Sequence, residues 1–182
     1  DRQPHQPARH LLSAASLLID TPLLVVGSGP GPLVVAKVAG GWGLATLLVG
    51  HTPLSGPDVD VPVALDADAV AVLTPHGVLN VLRPYLTAVD PPSITPADFE
   101  DVLKHHCVVD MNVTVYDAME LVDWTADGRG VRGILTDGRT RWDLRADAYV
   151  DGSTLPVELS AAIWAGGATA DGVLAANRAG TR

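Results

Sequence analysis

An α/β fold with a parallel central sheet and an antiparallel β-meander is what this sequence predicts, and three observations predict it. An apolar run at residues 22–27 gives way at once to a glycine cluster, VGSGPGPLVV, and then to a helical stretch. A second apolar run follows at residues 44–49, so strand, turn, helix and strand fit within roughly thirty residues, the size of one βαβ unit. From residue 108 onward the apolar period shortens toward two and turn residues recur, the mark of antiparallel strands.

Each element has its own local reason. Residues 22–27 are apolar without alternation, as a strand buried on both faces of a parallel sheet requires. Residues 33–42 carry Leu33, Val34, Ala36, Val38 and Ala39 nearly all round the helix, which predicts a buried helix closed by Gly40, Gly41 and Gly43. Residues 51–63 contain prolines, a glycine and spaced aspartates but not the glycine and closing acid of a calcium loop, so they read as a solvated loop. Helical spacing at residues 77–89 is interrupted by Pro84. Thr95-Pro96-Ala97-Asp98 announces a helix, with Thr95 as N-cap, Pro96 at the first helical position and acids close behind, and that helix is expected to reach about residue 105. Strands are expected at 108–111, 114–124, 130–136 and 139–146, with turns at Ala126-Asp127-Gly128 and a two-residue hairpin at Asp137-Gly138. A short strand at 148–150 and helices at 156–164 and 172–178 complete the reading.

Composition bounds the function. A chain of 182 residues can bury a core without disulfide or metal staples, and one compact domain over residues 21–182 is expected. Residues 1–20 read as an N-terminal extension with a polar, proline-bearing start and no signal-peptide pattern. The formal net charge of −9, with 12 scattered Lys and Arg, excludes a protein that tracks nucleic-acid phosphates. The apolar stretch at 11–19 falls short of the ~20 residues that a spanning helix needs, so no membrane span is expected. The single cysteine, Cys107, permits no internal disulfide, and the expected location is cytoplasmic. The chain is 47% hydrophobic and only 18% charged, against about 25% charged in a typical domain, so apolar area is to spare. That surplus predicts burial against another protein chain or a second copy of this one.

The order of these elements resembles a known family, the FAD-dependent oxidoreductases with a glutathione-reductase-like, Rossmann-type FAD-binding fold. Their opening strand, G-x-G-x-x-G turn, helix and second strand align without gaps over TPLLVVGSGPGPLVVAKVAGGWGLATLLVG. Their later helix, strand, meander and D-A-T-G-like strand end are similar to ITPADFEDVLKHHCVVDMNVTVYDAMELVDWTADGRGVRGILTDGRTRWDLRADAYVDGST. The likeness covers roughly residues 22–166. It implies FAD as cofactor, a small-molecule substrate, a substrate domain that is reduced or absent here, and a partner chain that completes the active site. In this first reading the chain is the FAD-binding-fold subunit of a hetero-oligomeric flavin-dependent oxidoreductase. The alternative is a non-catalytic structural or regulatory partner that kept the fold and lost the flavin.

The resemblance also assigns residues, and three of them depart from the family pattern. Gly27, Ser28, Gly29, Pro30 and Gly31 form the diphosphate loop, in which glycines let the backbone turn tightly and approach a pyrophosphate at the positive end of a helix dipole. Pro32 stands at the third glycine position and offers no N–H. Gly50 stands where the family holds an acid that accepts hydrogen bonds from the adenosine ribose, followed by His51, which reads as a solvated loop residue. Asp151 and Gly152 open DGST in place of D-A-T-G. No catalytic acid or base emerges, and no metal ligands are expected. His105, His106 and Cys107 are consecutive, so their side chains diverge on a helix, and they read as a helix C-terminus. Cys107 reads as a buried small apolar residue, and the tryptophans, Trp42 and Trp124 among them, read as packing residues.

Overall fold

The computed structural model describes residues 17–151. The helices expected at 156–164 and 172–178, and Gly152, lie outside them. Strand β1 (Leu18–Val26), helix α1 (Pro30–Gly41) and strand β2 (Thr46–His51) form the expected βαβ unit, with β1 and β2 parallel from Leu23↔Thr46 to Val26↔Val49. The chain then passes through a small sheet of β3 (Val63–Ala64), β4 (Ala88–Val89) and β5 (Pro92–Ile94), in the order β3-β5-β4. Helices α2 (Ala67–Leu73) and α3 (Val78–Leu82) and a 3-10 turn (Arg83–Tyr85) lie within that excursion. Helix α4 (Pro96–Asp110) returns it to β6 (Val113–Asp117), and β7 (Glu120–Asp127), β8 (Gly130–Thr136) and β9 (Arg141–Asp151) follow.

The main sheet has the order β6-β2-β1-β9-β8-β7. Strands β6, β2, β1 and β9 run parallel, whereas β9, β8 and β7 are antiparallel neighbours. Alternation of side chains along β1 explains why its run is apolar throughout. Leu23 and Val25 face a helical layer with Leu33, Val34, Val38, Phe99 and Leu103. Leu24 faces the other way, into a cluster with Leu47, Val49, Met119, Val131 and Leu135, where the meander folds back over the sheet. The order of layers is therefore helices, parallel sheet, meander. Each fully buried Leu or Val contributes about 1.5–3 kcal/mol, and nearly every such residue of β1, α1 and β2 is buried.

Several expectations change in detail. The first strand begins at Leu18, not at residue 22, because Leu18 pairs with Asp143 at the start of a long register with β9. Residues 18–20, read as extension, are thus part of the sheet. The expected strands at 139–146 and 148–150 are one strand, β9, since one stretch of backbone serves both the meander and the parallel sheet. The run at 114–124 is divided between β6 and β7. Residues 108–111 were expected as a strand but continue α4 to Asp110, because Phe99, Leu103 and Cys107 keep helical spacing on the buried face. His105 and His106 therefore lie more than a residue or two inside the helix, and the Nδ1 of His106 meets Oδ2 of Asp110 at 2.7 Å. Short α2 has no counterpart among the expected elements; Asp66 caps it, accepting from the Ala69 N–H at 2.7 Å.

The turn at 137–140 is not a two-residue hairpin. Asp137 Oδ1 accepts from the N–H groups of Arg139 at 2.8 Å and Thr140 at 2.7 Å, and these amides hold its carboxyl below the ordinary range. The cap at Thr95 is as expected, its hydroxyl accepting from the Asp98 N–H at 3.0 Å. Trp42 and Trp124 are both exposed by more than 40%, so neither is a core residue, although the Trp124 ring rests 5.1 Å from that of Tyr149. Among the described residues no helix is long and apolar enough to cross a membrane.

Candidate functional site

The parallel strands end on one edge of the sheet, and the carboxyl ends of β1, β2 and β9 gather most of the residues the sequence singled out. This is where ligands enter open α/β sheets. Gly27 follows β1 with φ 137°, and its N–H donates to the Val49 carbonyl at 3.0 Å, which ties the loop to β2. Gly29, with φ 87°, is the N-cap of α1 and supplies no side-chain cap. That backbone conformation is open to glycine and strained for other residues. Asp151 is in register with Val26, and burial together with the neighbouring Asp151 pushes the Tyr149 hydroxyl up to about 12. By strand alternation Asp151 and Tyr149 share the meander side of the sheet, away from α1.

The mouth of α1 is short of donors. Pro30 occupies the first helical position, Gly31 the second and Pro32 the third, so only Gly31 of these three carries an N–H. All three are buried. Ser28 Oγ donates to the Thr52 carbonyl at 2.6 Å and accepts from the Thr52 N–H at 3.1 Å. Leu54 Cδ2 comes to 4.0 Å from the point where a Gly29 Cβ would stand. The space left at the mouth is a cavity of about 230 Å³ lined by Pro30, Leu54, Pro57, Val59 and Pro96, among others, with no lysine or arginine in its wall.

His51 overturns the sequence expectation. It is the last residue of β2 and 1% exposed, not a solvated loop residue. Its Nε2 lies 2.7 Å from Oε1 of Glu100, itself 3% exposed. That contact pairs the imidazole closely with the carboxylate, and the other ring nitrogen, Nδ1, is buried with no hydrogen-bond partner. The other oxygen, Oε2, accepts from the Leu54 N–H at 2.7 Å. Glu100 was not among the sequence candidates, yet a signal existed: it shares the buried stripe of α4 with Pro96, Leu103 and Cys107, and an acid on an apolar stripe is worth asking about. Gly50 brings no acceptor to this edge; with φ 74°, its Cβ direction faces the Met119 carbonyl at 3.6 Å.

The loop departs from a full FAD set at two positions: Gly50 stands in place of the ribose acid, and Pro32 in place of the glycine that lets the helix lie close to the strand. The positive φ angles of Gly27 and Gly29 are kept.

Cys107 is fully buried on α4, its Sγ 3.8 Å from the Leu33 carbonyl. Burial pushes its thiol up to about 12, although the ammonium of Lys37 pulls the other way. Burial lowers Lys37 in turn, and its Nζ donates to the His76 carbonyl. The native thiol is therefore expected to resist alkylation at pH 8 and to react on addition of denaturant, as mass spectrometry will show. The folded chain also holds this proton from the ordinary value of 9.0 to about 12, where the unfolded chain releases it, so this contribution to stability is full below pH 9 and is lost as pH rises through that window. Among the described residues no cluster of three or more His, Cys, Asp or Glu is placed to hold a metal ion.

The fold has the form shared by flavoprotein nucleotide-binding domains: mixed α/β, Rossmann-like, with a mostly parallel central sheet. More particularly, the chain is similar to flavin-dependent monooxygenases of known structure. It matches the flavin-dependent monooxygenase PieE, solved with FAD and substrate, at 17% identity and a TM-score of 0.60, over 74% of this chain and 30% of that one. It matches p-nitrophenol 4-monooxygenase PnpA from Pseudomonas putida at 18% identity and a TM-score of 0.57, over 74% of this chain and 40% of that one. OxyS anhydrotetracycline hydroxylase from Streptomyces rimosus matches at 15% identity and a TM-score of 0.57, over 73% and 31%. The chain thus spans about three- to four-tenths of the length of these structures. No protein-family model and no curated protein sequence matches it.

Proposed function

We infer that this chain is a flavoprotein-fold module that serves as a structural or regulatory partner and holds no flavin of its own. The observation that carries this reading is the first turn of α1, where Pro30 at the first helical position offers no N–H and the Ser28 hydroxyl is already engaged with the Thr52 backbone. Gly50, with no side-chain acceptor, and Pro32, with no N–H, point the same way. Exposed Trp42, Val108 and Val109 support an assembly with another protein chain, in line with the apolar surplus of the composition. The kinship with glutathione-reductase-like FAD-dependent oxidoreductases rests on the order of the loop motif, the meander and the Asp151 strand end.

A second reading has its own observation. The turn from Gly27 to Gly29 keeps positive φ angles between a central parallel strand and the helix after it, so FAD held jointly with a partner chain would still meet a formed loop and the dipole of α1. The flavin would then supply the redox chemistry, and the partner the ribose acceptor and substrate residues. One experiment separates the two. The purified chain is expected to be colourless, and FAD is expected to leave its melting temperature unchanged. A ligand at a hundred times its Kd adds about 2.7 kcal/mol, so a clear upward shift, or a yellow protein, refutes the first reading. Colour that appears only with a copurified partner supports the second.

A further inference from the structure

Helix α3 and the 3-10 turn after it lie alongside α4, and a groove of about 520 Å³ is left between them. Val81, Pro84 and Tyr85 form one wall, and Val102 of α4 forms part of the other. Val81 and Val102 are half-buried against the core, which fixes the apolar floor, whereas Tyr85 is 52% exposed. Along α4 the lining runs from Asp98 to Asp110, about 18 Å at the rise of an α-helix, or more than three turns. Val109, 63% exposed, follows Val102 by two turns on the same helical face and adds a further apolar side chain there.

The rim of this groove is acidic and is not neutralised from within the chain. Asp98, Asp101 and Asp110 border it, and no lysine or arginine does. Among the described residues the Lys and Arg ion pairs are Lys104 with Asp117 and Arg141 with Asp123, so none of the three rim aspartates enters one. The Asp98 carboxylate accepts from the Thr95 hydroxyl at 2.7 Å, and Asp110 meets the His106 ring.

We propose that this groove docks an amphipathic helix of a partner protein, its apolar side chains laid against Val81, Tyr85 and Val102 and its lysines or arginines set against Asp98, Asp101 and Asp110. This rests on the reading of the chain as a structural or regulatory partner, and it names the surface that the partnership uses. A trough of more than three turns between two helical walls suits a helix laid lengthwise, with anchors spaced at i, i+3 or i+4, and i+7. Three carboxylates without a cation of their own select a basic flank. A second copy of this chain is opposed by charge, since each copy carries −9, and nucleic acid and anionic lipid are repelled from this face for the same reason.

The test uses the whole chain and three synthetic peptides of about 14 residues, long enough to fill the groove as a helix. The first has leucines on one helical face and lysines on its flanks, the second has glutamate for every lysine, and the third has the composition of the first in scrambled order. Fluorescence anisotropy of the labelled peptides reads affinity, and hydrogen exchange reads the place of binding. The basic amphipathic peptide is expected to bind at least about tenfold more tightly than the other two, to weaken as salt is raised, and to slow exchange at residues 81–85 and 98–110. Tyr85→Ala and Asp101→Lys alter exposed positions outside the core, and each is expected to weaken that binding by about tenfold, Asp101→Lys also narrowing the preference over the acidic peptide. Equal binding of the scrambled peptide overturns the proposal, because charge alone then suffices. So does protection elsewhere on the chain, or no binding of the basic amphipathic peptide at millimolar concentration. A dimer of the unaltered chain that Tyr85→Ala dissociates in sedimentation assigns the groove to a second copy. A photocrosslink from a benzophenone side chain placed at position 85 to residues 1–16 or 152–182 of the same chain assigns it to the chain's own ends, and either result overturns the proposal. All of these outcomes leave the flavin-free reading standing; FAD colour, or a rise in melting temperature with FAD, is what refutes that.

Discussion

Replacing Phe99 by alanine is expected to lower the unfolding free energy by about 3–5 kcal/mol, the cost of emptying a large aromatic site in a packed core. Phe99 is 0% exposed and sits one turn into α4, between the helical layer and the sheet face formed by Leu23, Val25 and Leu48. Domains of this size are held together by about 5–15 kcal/mol in all, so a loss of this magnitude removes much of the margin. Urea unfolding followed by circular dichroism will show it as a lower midpoint with an unchanged slope. A fall in stability below about 1 kcal/mol would mean that α4 does not close the core as described.

Gly130→Ala is expected to be nearly as damaging, by about 3 kcal/mol, for a different reason. Gly130 opens β8 with φ 115°, and a Cβ there would stand 2.1 Å from the carbonyl oxygen of Ala146 and 3.0 Å from the Cα of Asp147. Both obstacles are backbone, so no side-chain rotation relieves them. Ala146 belongs to the stretch of β9 that pairs with β8 on one side and β1 on the other, and the displacement is therefore passed from the meander into the parallel sheet. Gly128, two residues earlier, has nothing within 4 Å of its Cβ position and provides the control. Gly128→Ala is expected to change stability by less than about 1 kcal/mol. Equal effects of the two substitutions in thermal melts would refute the register assigned to β8 and β9.

Much of the fold was legible because local and tertiary preferences agree. The unalternating apolar run of β1, the prolines and glycines around α1, and the Thr95 cap each make sense within a few residues, and each is found in place. Elements whose identity depends on distant pairing were harder to read. Val108 and Val109 are β-branched but stay helical because Cys107 and Leu103 anchor the turn before them. The start of β1 at Leu18 depends on β9, more than a hundred residues away. The two halves of β9 look separate in sequence, and one strand joins them because it has partners on both sides.

The site divides in the same way. Residue order alone determined that Gly27 and Gly29 turn the chain from a buried strand into a helix, that Pro32 withholds an N–H, and that Gly50 brings no carboxylate, since these follow from the chemistry of single residues. Only the tertiary structure decided that His51 is buried, that Glu100 crosses from α4 to meet it and Leu54, and that the Ser28 hydroxyl is taken up by the Thr52 backbone. Those facts come from groups 24 or more residues apart brought to hydrogen-bonding distance, and such proximity is set by how sheet and helices pack rather than by any local pattern.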